Sequence, residues 1–344
     1  MSATDLPALE TLMLALMESS TAAPLDCVPT LFLGAVPHRA LPPGPNLLGW
    51  QPIRPLAAHW DQSGAARCDA LPDGLWPRIL FLPGKSRSEI LAGIGEASVR
   101  LQTGGELLIA LPNDCGAARY EKEFASACGG VSSLQKHKCR AFRAIRGPDW
   151  DEAKFTAWRS MGALHATSDG RFLTQAGVFS EDGVDAGSDL LAKSLPASLR
   201  GRVADLGAGW GFLAVHALER CPHITEIDLY EADSRALSCA RANLAPFAEN
   251  RRIGYHWEDV TCGVSGSDYD VVLMNPPFHT GRQTDVALGA SFVKASARAL
   301  RRGGTLWMVA NRQLPYEGVL DACGFSWWKR AETPVFKVFQ ATKR

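Results

Sequence analysis

One segment combines residue types that can position a reacting nitrogen: Asn275, Pro276, Pro277 and Phe278. It follows an apolar, strand-like run ending at Met274, and prolines end a strand because they cannot donate to its hydrogen-bond ladder. The side-chain oxygen of Asn275 and the carbonyl of Pro276 can accept both N–H groups of an exocyclic amine. Phe278 can stack on the attached ring, a contact worth about 1–3 kcal/mol. The two prolines keep the turn rigid, so the segment predicts a catalytic site that works by positioning and electrostatics.

A glycine-rich turn lies upstream in the sequence VADLGAGWG. Gly207, Gly209 and Gly211 stand between an apolar strand and a helix, where glycine lets a ligand approach the backbone and the helix N-terminus offers free N–H groups. The dinucleotide-binding fingerprint GxGxxG would require a glycine where Phe212 stands. The pattern is instead DxGxGxG, with Asp205 at the end of the strand.

Two further acids follow the next two predicted strands. Glu231 lies 24 residues after Gly207 (231 − 207), where a carboxylate can accept hydrogen bonds from both ribose hydroxyls. Asp259 follows the third strand, where it can accept from an adenine amine. Each acid alone is equally compatible with a helix cap or a solvated loop charge. Together with Asp205 they indicate a nucleoside-bearing cofactor at the carboxyl edge of the strands.

The elements that must position these residues alternate regularly. Short apolar runs bounded by Gly, Pro, Asn or Asp are separated by helical segments along both halves of the chain. This alternation predicts βαβ units, an α/β fold and mainly parallel sheets.

A faint repeat links the two halves. The sequence LQTGGELLIALPN from Leu101 is similar to LRRGGTLWMVANR from Leu300, and RAFRA is similar to KVFQA. General similarity between α/β domains is the alternative explanation, but 344 residues are more than one core usually serves. We therefore predict two domains, residues 1–148 and 149–344, joined near the charged Gly-Pro segment at residues 146–155.

The composition is that of an ordinary globular protein, with 46% hydrophobic and 21% charged residues. The formal net charge is zero, which by itself gives no support to a nucleic-acid partner. Residues 275–344, however, contain eleven Lys or Arg against four Asp or Glu, an excess of seven. Such asymmetry can mark an electrostatic footprint on one face.

The same composition argues against metals, disulfides and membranes. None of the nine cysteines forms a CxxC pair, and the histidines have no metal-ligand spacing such as HExxH. We expect reduced, mostly buried cysteines and no metal site. No apolar run of about 18 residues is present and the N-terminus is acidic, so we expect a cytoplasmic protein without a membrane partner.

The motifs DLGAGWG, YEAD, ED and NPPF, in this order, resemble those of the class I S-adenosylmethionine-dependent methyltransferases that modify exocyclic or amide nitrogens. The resemblance supplies the identity of the cofactor, S-adenosylmethionine. It implies that Glu231 holds the ribose and Asp259 the adenine amine, and that Asn275 also contacts the cofactor. The residues that it places around the methionine part are Asp205, Gly207, Ala208, Gly209 and Gly211.

A narrower resemblance extends over nearly the whole chain. GVFSEDGVDAGSDLL from Gly177, NPPFH, and VFKVF near the end are similar to hallmarks of the bacterial small-subunit ribosomal RNA guanine-N2 methyltransferases. It implies two tandem Rossmann-like class I methyltransferase domains with seven-stranded sheets: a degenerate N-terminal copy for RNA binding or structural support, then an active one. It places Phe179 near the cofactor. The implied activity is methylation of guanine N2 in 16S rRNA, with ribosomal RNA or the small subunit as partner of a monomeric enzyme.

Basic side chains are expected to contact RNA phosphates, although each is also compatible with a solvated helix or strand face. His279 more plausibly positions the loop or a phosphate than acts as a base. Around the active turn the basic candidates are Arg282, Lys294, Arg298, Arg301, Arg302, Arg312, Lys329 and Arg330. In the first domain they are Lys136, Lys138, Arg140 and Arg143.

Three alternative functions stay open at the level of sequence. Methylation of adenine N6 or of a protein glutamine amide is one, although such relatives usually carry Tyr in place of Phe278 and lack the duplicated half. A noncatalytic RNA-binding assembly factor is the second, but it would be expected to have lost Asn275 or the glycine turn. An oxidoreductase is the least favoured, because Phe212 breaks its fingerprint.

Overall fold

The chain forms two compact units, residues 1–163 and 164–344. Phe278 and Arg282 lie outside the part of the chain that can be described. The structure, a computed structural model, describes residues 6–18, 27–277, 279–280, 283–284 and 286–344.

The N-terminal unit contains five α-helices and seven strands among its described residues. The helices are α1 (Pro7–Met17), α2 (Arg54–Gln62), α3 (Arg87–Arg100), α4 (Ala117–Cys128) and α5 (Glu152–Ser160). The strands are β1 (Thr30–Leu33), β2 (Leu47–Trp50), β3 (Ala66–Cys68), β4 (Trp76–Phe81), β5 (Leu101–Pro112), β6 (Ser132–Lys136) and β7 (Cys139–Ile145).

The C-terminal unit repeats this plan with additional short ribbons. Its helices are α6 (Ala186–Ser194), α7 (Phe212–Arg220), α8 (Ser234–Leu244), α9 (Val286–Ala299) and α10 (Glu317–Ala322). The strands of its large sheet are β10 (Arg200–Leu206), β11 (His223–Glu231), β12 (Arg252–Trp257), β13 (Tyr269–Met274), β16 (Leu300–Asn311), β17 (Phe325–Glu332) and β18 (Phe336–Lys343). Two-residue strands form the ribbons β8 (His165–Ala166) with β9 (Leu173–Thr174), and β14 (His279–Thr280) with β15 (Gln283–Thr284).

The two large sheets have the same strand order. It is β3-β2-β1-β4-β5-β7-β6 in the first unit and β12-β11-β10-β13-β16-β18-β17 in the second. Within each sheet the first five strands of this order pair in parallel, and β7 or β18 runs antiparallel to both of its neighbours. Two tandem Rossmann-like α/β domains with mainly parallel seven-stranded sheets are therefore confirmed.

The division between the units falls at residue 163 rather than at the predicted 148. Helix α5 belongs to the first unit because it packs tightly on α3. A Cβ on Gly95 of α3 would lie 2.4 Å from the backbone nitrogen of Arg159 in α5, so only glycine permits this approach. Arg159 also forms an ion pair with Glu96 at 3.0 Å.

The turn after β1 retains part of the pattern found after β10. The N–H of Gly34 donates to the carbonyl of Trp50 at 2.9 Å, and the N–H of Gly207 donates to the carbonyl of Tyr230 at 2.8 Å. Both glycines have left-handed φ angles, of 72° and 75°. The two turns are thus equivalent in position and in their contact with the neighbouring strand.

The turn after β1 nevertheless lacks the groups that could bind a ligand after β10. No helix is found between β1 and β2, all of whose residues are described, whereas α7 follows the turn after β10. The buried side chain of Gln51 stands where the second unit has Glu231, and its Nε2 donates to the carbonyl of Ala35 at 3.0 Å. Without a helix N-terminus and a carboxylate, the first copy has no phosphate or ribose binding groups of this kind.

The core of the second unit lies on both faces of its sheet. Apolar residues of α6, α7 and α8 pack on one face, and those of α9 and α10 pack on the other. Helix α8 begins after Asp233, whose carboxylate accepts a hydrogen bond from the N–H of Arg235 at 2.9 Å. These helices hold the sheet so that its carboxyl edge carries the loops described below.

The described residues include no helix long and apolar enough to cross a membrane.

Candidate active site

Three neighbouring strands bring the predicted site residues to one edge. Leu206 at the end of β10 is level with Tyr230 of β11 and Met274 of β13. The residues that follow, Gly207 and Asn275, therefore start their loops side by side. This is the edge at which open parallel sheets bind ligands.

The glycine turn is held in a strained form that favours glycine. Gly207, Gly209 and Gly211 have φ angles of 75°, 55° and 88°, a region that costs other residues roughly 1–2 kcal/mol. A Cβ on Gly211 would lie 2.7 Å from Leu244 Cδ1, whereas a Cβ on Gly209 would meet nothing within 4 Å. Gly211 is thus required by packing, and Gly209 leaves space beside the turn.

That space is part of a cleft with a volume of about 410 Å³ up to its open mouth, within the ~300–1,000 Å³ range of small-molecule sites. Five of the predicted residues line it: Phe179, Gly207, Ala208, Gly209 and Asn275. Sequence reasoning did not select the other lining residues, which are Ser180, Asp185, Ser188, Trp210, Phe212 and Leu213. Four of the predicted cofactor residues are not part of the lining, namely Asp205, Gly211, Glu231 and Asp259, and neither are Pro276 and Pro277.

Asp205 is fully buried directly beneath the glycine turn. Its carboxyl oxygens have no hydrogen-bond partner of good geometry among the described residues. Burial, reinforced by the negative charge of Glu231, raises the pKa of Asp205 to about 8, and the nearby N–H of Ala214 offsets this only in part. A buried acid with open acceptor sites fits a cationic group such as the amino group of the cofactor's methionine part.

Glu231 fixes the turn from the next strand. One carboxylate oxygen accepts from the N–H of Gly209 at 2.8 Å, and the other accepts from the N–H of Asp233 at 2.9 Å. Burial raises the pKa of Glu231, while these two hydrogen bonds act in the opposite direction. The second lone pair of each oxygen is the group with which ribose hydroxyls would bond. The structure therefore fits the proposed cofactor, and the individual assignment remains a prediction.

Asp259 has a structural role that sequence reasoning had kept as an alternative. Its Oδ1 accepts from the N–H of Thr261 at 2.9 Å and from the hydroxyl of the same residue at 2.6 Å, which caps the short 3-10 helix Val260–Cys262. The cap holds Asp259 in place after β12. Its contact with an adenine amine stays a prediction.

Asn275 is held by residues from the start of α6. Its Nδ2 donates to Asp185 Oδ2 at 2.9 Å and to Ser188 Oγ at 2.8 Å. Of the prolines that follow, Pro276 is buried and Pro277 is exposed. Phe278 lies outside the described residues, so its stacking role stays a prediction.

The segment before α6 contributes an exposed aromatic ring to the cleft. Phe179 is 63% exposed, and its carbonyl accepts from Trp210 Nε1 at 3.1 Å. Ser180 has a left-handed φ of 57°, an uncommon conformation that cleft and switch residues often adopt. Asn243 of α8 holds Trp210 in place, because its Nδ2 donates to the carbonyl of Trp210 at 2.8 Å.

The basic residues that follow α9 lie at the wrong edge for the predicted role. Leu300 pairs with Tyr269 at the start of β13, so Arg301 and Arg302 stand at the opposite end of the sheet from Asn275. Their predicted position around the active turn is wrong, because α9 runs antiparallel to the strands. Arg301 instead forms an ion pair with Asp270 at 2.7 Å.

Two of the remaining basic candidates of the second unit are paired within it. Arg312, directly after β16, contacts Glu332 at 2.9 Å, and Lys329 contacts the same carboxylate at 2.9 Å. Arg330 donates to Gln340 Oε1 at 2.6 Å. The side chain of His279 lies outside what the structure describes. Among the described residues no group of His, Cys, Asp or Glu has the arrangement of a metal site.

A Rossmann-like sheet of this order, with a glycine turn, acids after successive strands and Asn-Pro-Pro at the carboxyl edge, defines a class I methyltransferase. The family described as Methyltransferase small domain matches residues 169–340.

Curated relatives give a more specific result. The ribosomal RNA small subunit methyltransferase C of Escherichia coli (strain K12) is 31% identical over 278 residues, 80% of this chain and 76% of the relative. The protein of the same name from Sodalis glossinidius is 30% identical over 290 residues, 84% of this chain and 80% of the relative. The chain belongs to the ribosomal RNA small subunit methyltransferase C family.

A solved structure supports the fold of the whole chain. The 16S rRNA N2 G1207 methyltransferase (RsmC) of T. thermophilus, solved in complex with AdoMet and guanosine, aligns with a TM-score of 0.80 and 21% identity. The match covers 100% of this chain and 93% of the other. The fold of the whole chain is thus common to both proteins.

Proposed function

We propose that this protein transfers a methyl group from S-adenosylmethionine to the exocyclic N2 of a guanine in 16S rRNA of the small ribosomal subunit. The observation that carries the proposal is the amide of Asn275, held at the carboxyl edge beside the cleft with its nitrogen toward α6. Its oxygen, on the other branch of the amide, accepts an N–H of the guanine amine. Family membership supplies the substrate class.

The chemistry needs little from the protein besides positioning. When bound, S-adenosylmethionine supplies an electrophilic methyl carbon: the amine's lone pair forms the N–C bond, the C–S bond breaks with its electron pair passing to sulfur, and one proton leaves the nitrogen to water. The Asn275 oxygen and the Pro276 carbonyl accept the two N–H groups and favour a pyramidal nitrogen. No strong base is required before attack, so orientation in a preorganised site accounts for the rate.

Different residues around the cleft bind different parts of the cofactor. Asp205 binds the amino group of the methionine part, and the backbone of Gly207 and Gly209 allows close approach. Glu231 accepts from the ribose hydroxyls, and Asp259 accepts from the adenine amine. The support for these roles is the buried, unsatisfied carboxyl of Asp205 and the anchoring of Glu231 to the turn.

A guanine in structured RNA must be unpaired or rotated outward before its amine enters such a site, which costs a few kcal/mol. Phe278 then stacks on the base. The substrate is either free 16S rRNA or the assembled subunit, and the enzyme acts as a cytoplasmic monomer.

We assign RNA binding to the N-terminal unit as well, through the tip of the β6–β7 hairpin. Lys136, His137 and Lys138 are all exposed there. His137 and Lys138 have φ angles of 51° and 57° in a two-residue turn that normally selects Asn and Gly. Keeping His137 and Lys138, rather than Asn and Gly, at these strained positions supports a functional role for the tip.

Two other basic candidates of this unit have carboxylate partners, which makes them less suited to that role. Arg140 is paired with Glu121, and Arg143 with Glu106 at 3.6 Å. The hairpin tip is therefore the part of the unit whose charge suits RNA phosphates.

The test incubates the protein with methyl-labelled S-adenosylmethionine and either free 16S rRNA or small subunits from a strain lacking the endogenous enzyme. Mass spectrometry of the digested RNA then identifies the modified nucleoside. We expect one N2-methylguanosine per rRNA molecule. Label in N6-methyladenosine, in ribosomal protein, or in no product would contradict the proposal.

A further inference from the structure

The start of helix α6 determines which way the amide of Asn275 points. Its Nδ2 has two acceptors there, Asp185 Oδ2 at 2.9 Å and Ser188 Oγ at 2.8 Å. A carboxylate can only accept hydrogen bonds, so the amide nitrogen must face Asp185. In the reversed orientation two oxygens would lie within hydrogen-bond distance with no proton between them.

Asp185 is itself held rigidly. The same Oδ2 accepts from the backbone N–H of Ser188 at 2.8 Å, so Asp185 is the N-cap of α6. Gly187 leaves room for this carboxylate, since a Cβ there would lie 3.1 Å from its Oδ2 and 3.1 Å from the ring of Phe336. The helix start therefore fixes one oxygen atom that serves both the cap and Asn275.

The orientation has a chemical consequence. An amide that presents its oxygen to the substrate suits a group with N–H donors, whereas one that presents its NH₂ suits a carbonyl. The guanine base carries both groups, the N2 amine and the O6 carbonyl. The acceptors on α6 thus decide which kind of group the site accepts.

We infer that Asp185, assisted by Ser188, is a positioning residue that makes the site selective for an amine by fixing the amide of Asn275. The inference rests on the proposed function, because it concerns the substrate that enters the same site. Asp185 acts through Asn275 and takes no proton in the reaction.

The experiment compares full-length variants that separate the cap from the orienting contact. Asp185→Asn keeps an oxygen that can both cap α6 and accept from Asn275. Asp185→Ser keeps a good N-cap, but its shorter side chain withdraws from Asn275. Combining it with Ser188→Ala removes both acceptors. Ser194→Ala is the matched control, because its hydroxyl contacts only the Leu190 carbonyl of the same helix in the structure.

The first readout is kinetic. We expect the Asp185→Ser/Ser188→Ala variant to lose about tenfold in kcat, roughly the contribution of one hydrogen bond, with KM for RNA changing much less. The Asp185→Asn variant should keep most of the wild-type kcat. The melting temperature and cofactor affinity of each variant, measured by calorimetry, establish that folding and the cleft are intact.

The second readout is independent of turnover. Guanosine and inosine differ by the N2 amine, so their relative affinities, measured by titration calorimetry with S-adenosylhomocysteine present, report whether the site recognises that amine. We expect wild type and Ser194→Ala to prefer guanosine, and the double variant to lose most of this preference.

Two results would overturn the inference: a folded double variant that keeps both kcat and the guanosine preference, or an Asp185→Asn variant that loses as much kcat as the double variant. The second would mean that the charge of Asp185 matters and the orientation does not. If wild type methylates guanine in rRNA while the variants behave like it, the proposed function stands and only this inference fails. A wild type that makes no N2-methylguanosine removes the proposed function itself.

Discussion

At the scale of single residues, the site depends on two side chains. Burial sets the pKa of one of them, and fixed neighbours set the orientation of the other. Asp205 is buried with a raised pKa, and Asn275 is held by acceptors on α6. Neither needs to act as a base. In the proposed mechanism Asp205 attracts a cation and Asn275 presents an acceptor, and methyl transfer to an amine needs both.

Replacing Asn275 by Ala tests the acceptor directly. We expect cofactor affinity to stay within about tenfold, equivalent to about 1.4 kcal/mol, while kcat falls by about a hundredfold or more, as for other preorganised polar groups. Asn250→Ala is the control, because Asn250 is exposed in a turn. Turnover that survives in Asn275→Ala would disprove the role of this side chain.

Because the pKa of Asp205 is about 8, its proposed contact with the cofactor predicts that cofactor binding depends on pH. A cationic amino group binds the ionised carboxylate, so affinity should rise with pH by up to tenfold per unit while the carboxyl group loses its proton, and fall again once the amino group of the ligand loses its own. Calorimetric titrations between pH 6 and 9 measure this. In Asp205→Asn the rise with pH should disappear together with most of the affinity; a pH profile unchanged from wild type would refute the assignment.

The same residue affects the stability of the unliganded protein. Its folded pKa lies above that of the unfolded chain, about 3.9, so the native state binds the proton more tightly. The free energy of unfolding should therefore fall as pH rises from about 4 to about 8. Denaturant titrations at several pH values should show a weaker decline in Asp205→Asn than in wild type, and equal declines would contradict the shift.

At the scale of elements, the glycine turn and the start of α6 form one unit of the site. The turn is shaped by three left-handed glycines, and α6 supplies the contacts to Asn275. Each element is fixed by its own local chemistry, a backbone conformation in one case and an N-cap in the other. Packing on the sheet brings them together.

Substitutions at two of the glycines should separate stability from binding. Gly211→Ala should destabilise the fold by about 2–3 kcal/mol, because the left-handed φ is strained and its Cβ would lie 2.7 Å from Leu244. Gly209→Ala adds only the backbone strain, about 1–2 kcal/mol, but places a methyl group in the open space beside the cleft. Denaturant unfolding and cofactor titration together measure the two effects.

The opposite ranking would contradict this account. If Gly209→Ala unfolds more readily than Gly211→Ala, the packing requirement assigned to Gly211 is wrong. If Gly209→Ala binds the cofactor as tightly as wild type, the ligand does not lie in the open space at position 209.

At the scale of the whole molecule, the two units share one strand order, and we propose that they have different roles. The first has lost the helix after its glycine turn and carries Gln51 where the second carries Glu231. It keeps the sheet and the exposed hairpin at its carboxyl edge. The shared strand order agrees with the predicted duplication, in which the first copy would have lost its cofactor groups.

The hairpin can be tested by removing its charge. Lys136→Ala with Lys138→Ala should weaken RNA binding and reduce the slope of log affinity against log salt concentration by about 1.4, as expected for two lost phosphate contacts on single-stranded RNA. Cofactor affinity should not change. Lys122→Ala, an exposed lysine of α4, is the control. An unchanged salt slope in the double variant would rule out phosphate contacts at the tip.

Much of this molecule could be predicted from local sequence. The glycine turn, the acids after successive strands and the Asn-Pro-Pro turn are patterns of neighbouring residues, and parallel strands bring their carboxyl ends to one edge. The strand positions and the repeat follow from the alternation of apolar runs with Gly, Pro and Asn. These features depend on backbone preferences that act over a few residues.

Other features depended on packing between distant segments. Asp185 reaches Asn275 across 90 residues of sequence, helix α5 packs back on α3, and the direction of α9 carries Arg301 away from the site. Spacing along a chain identifies the neighbours within one strand or helix. The packing of apolar surfaces decides which elements touch and which side chains face each other there. The sequence alone therefore determined the cofactor class, and the tertiary structure decided the orientation of Asn275.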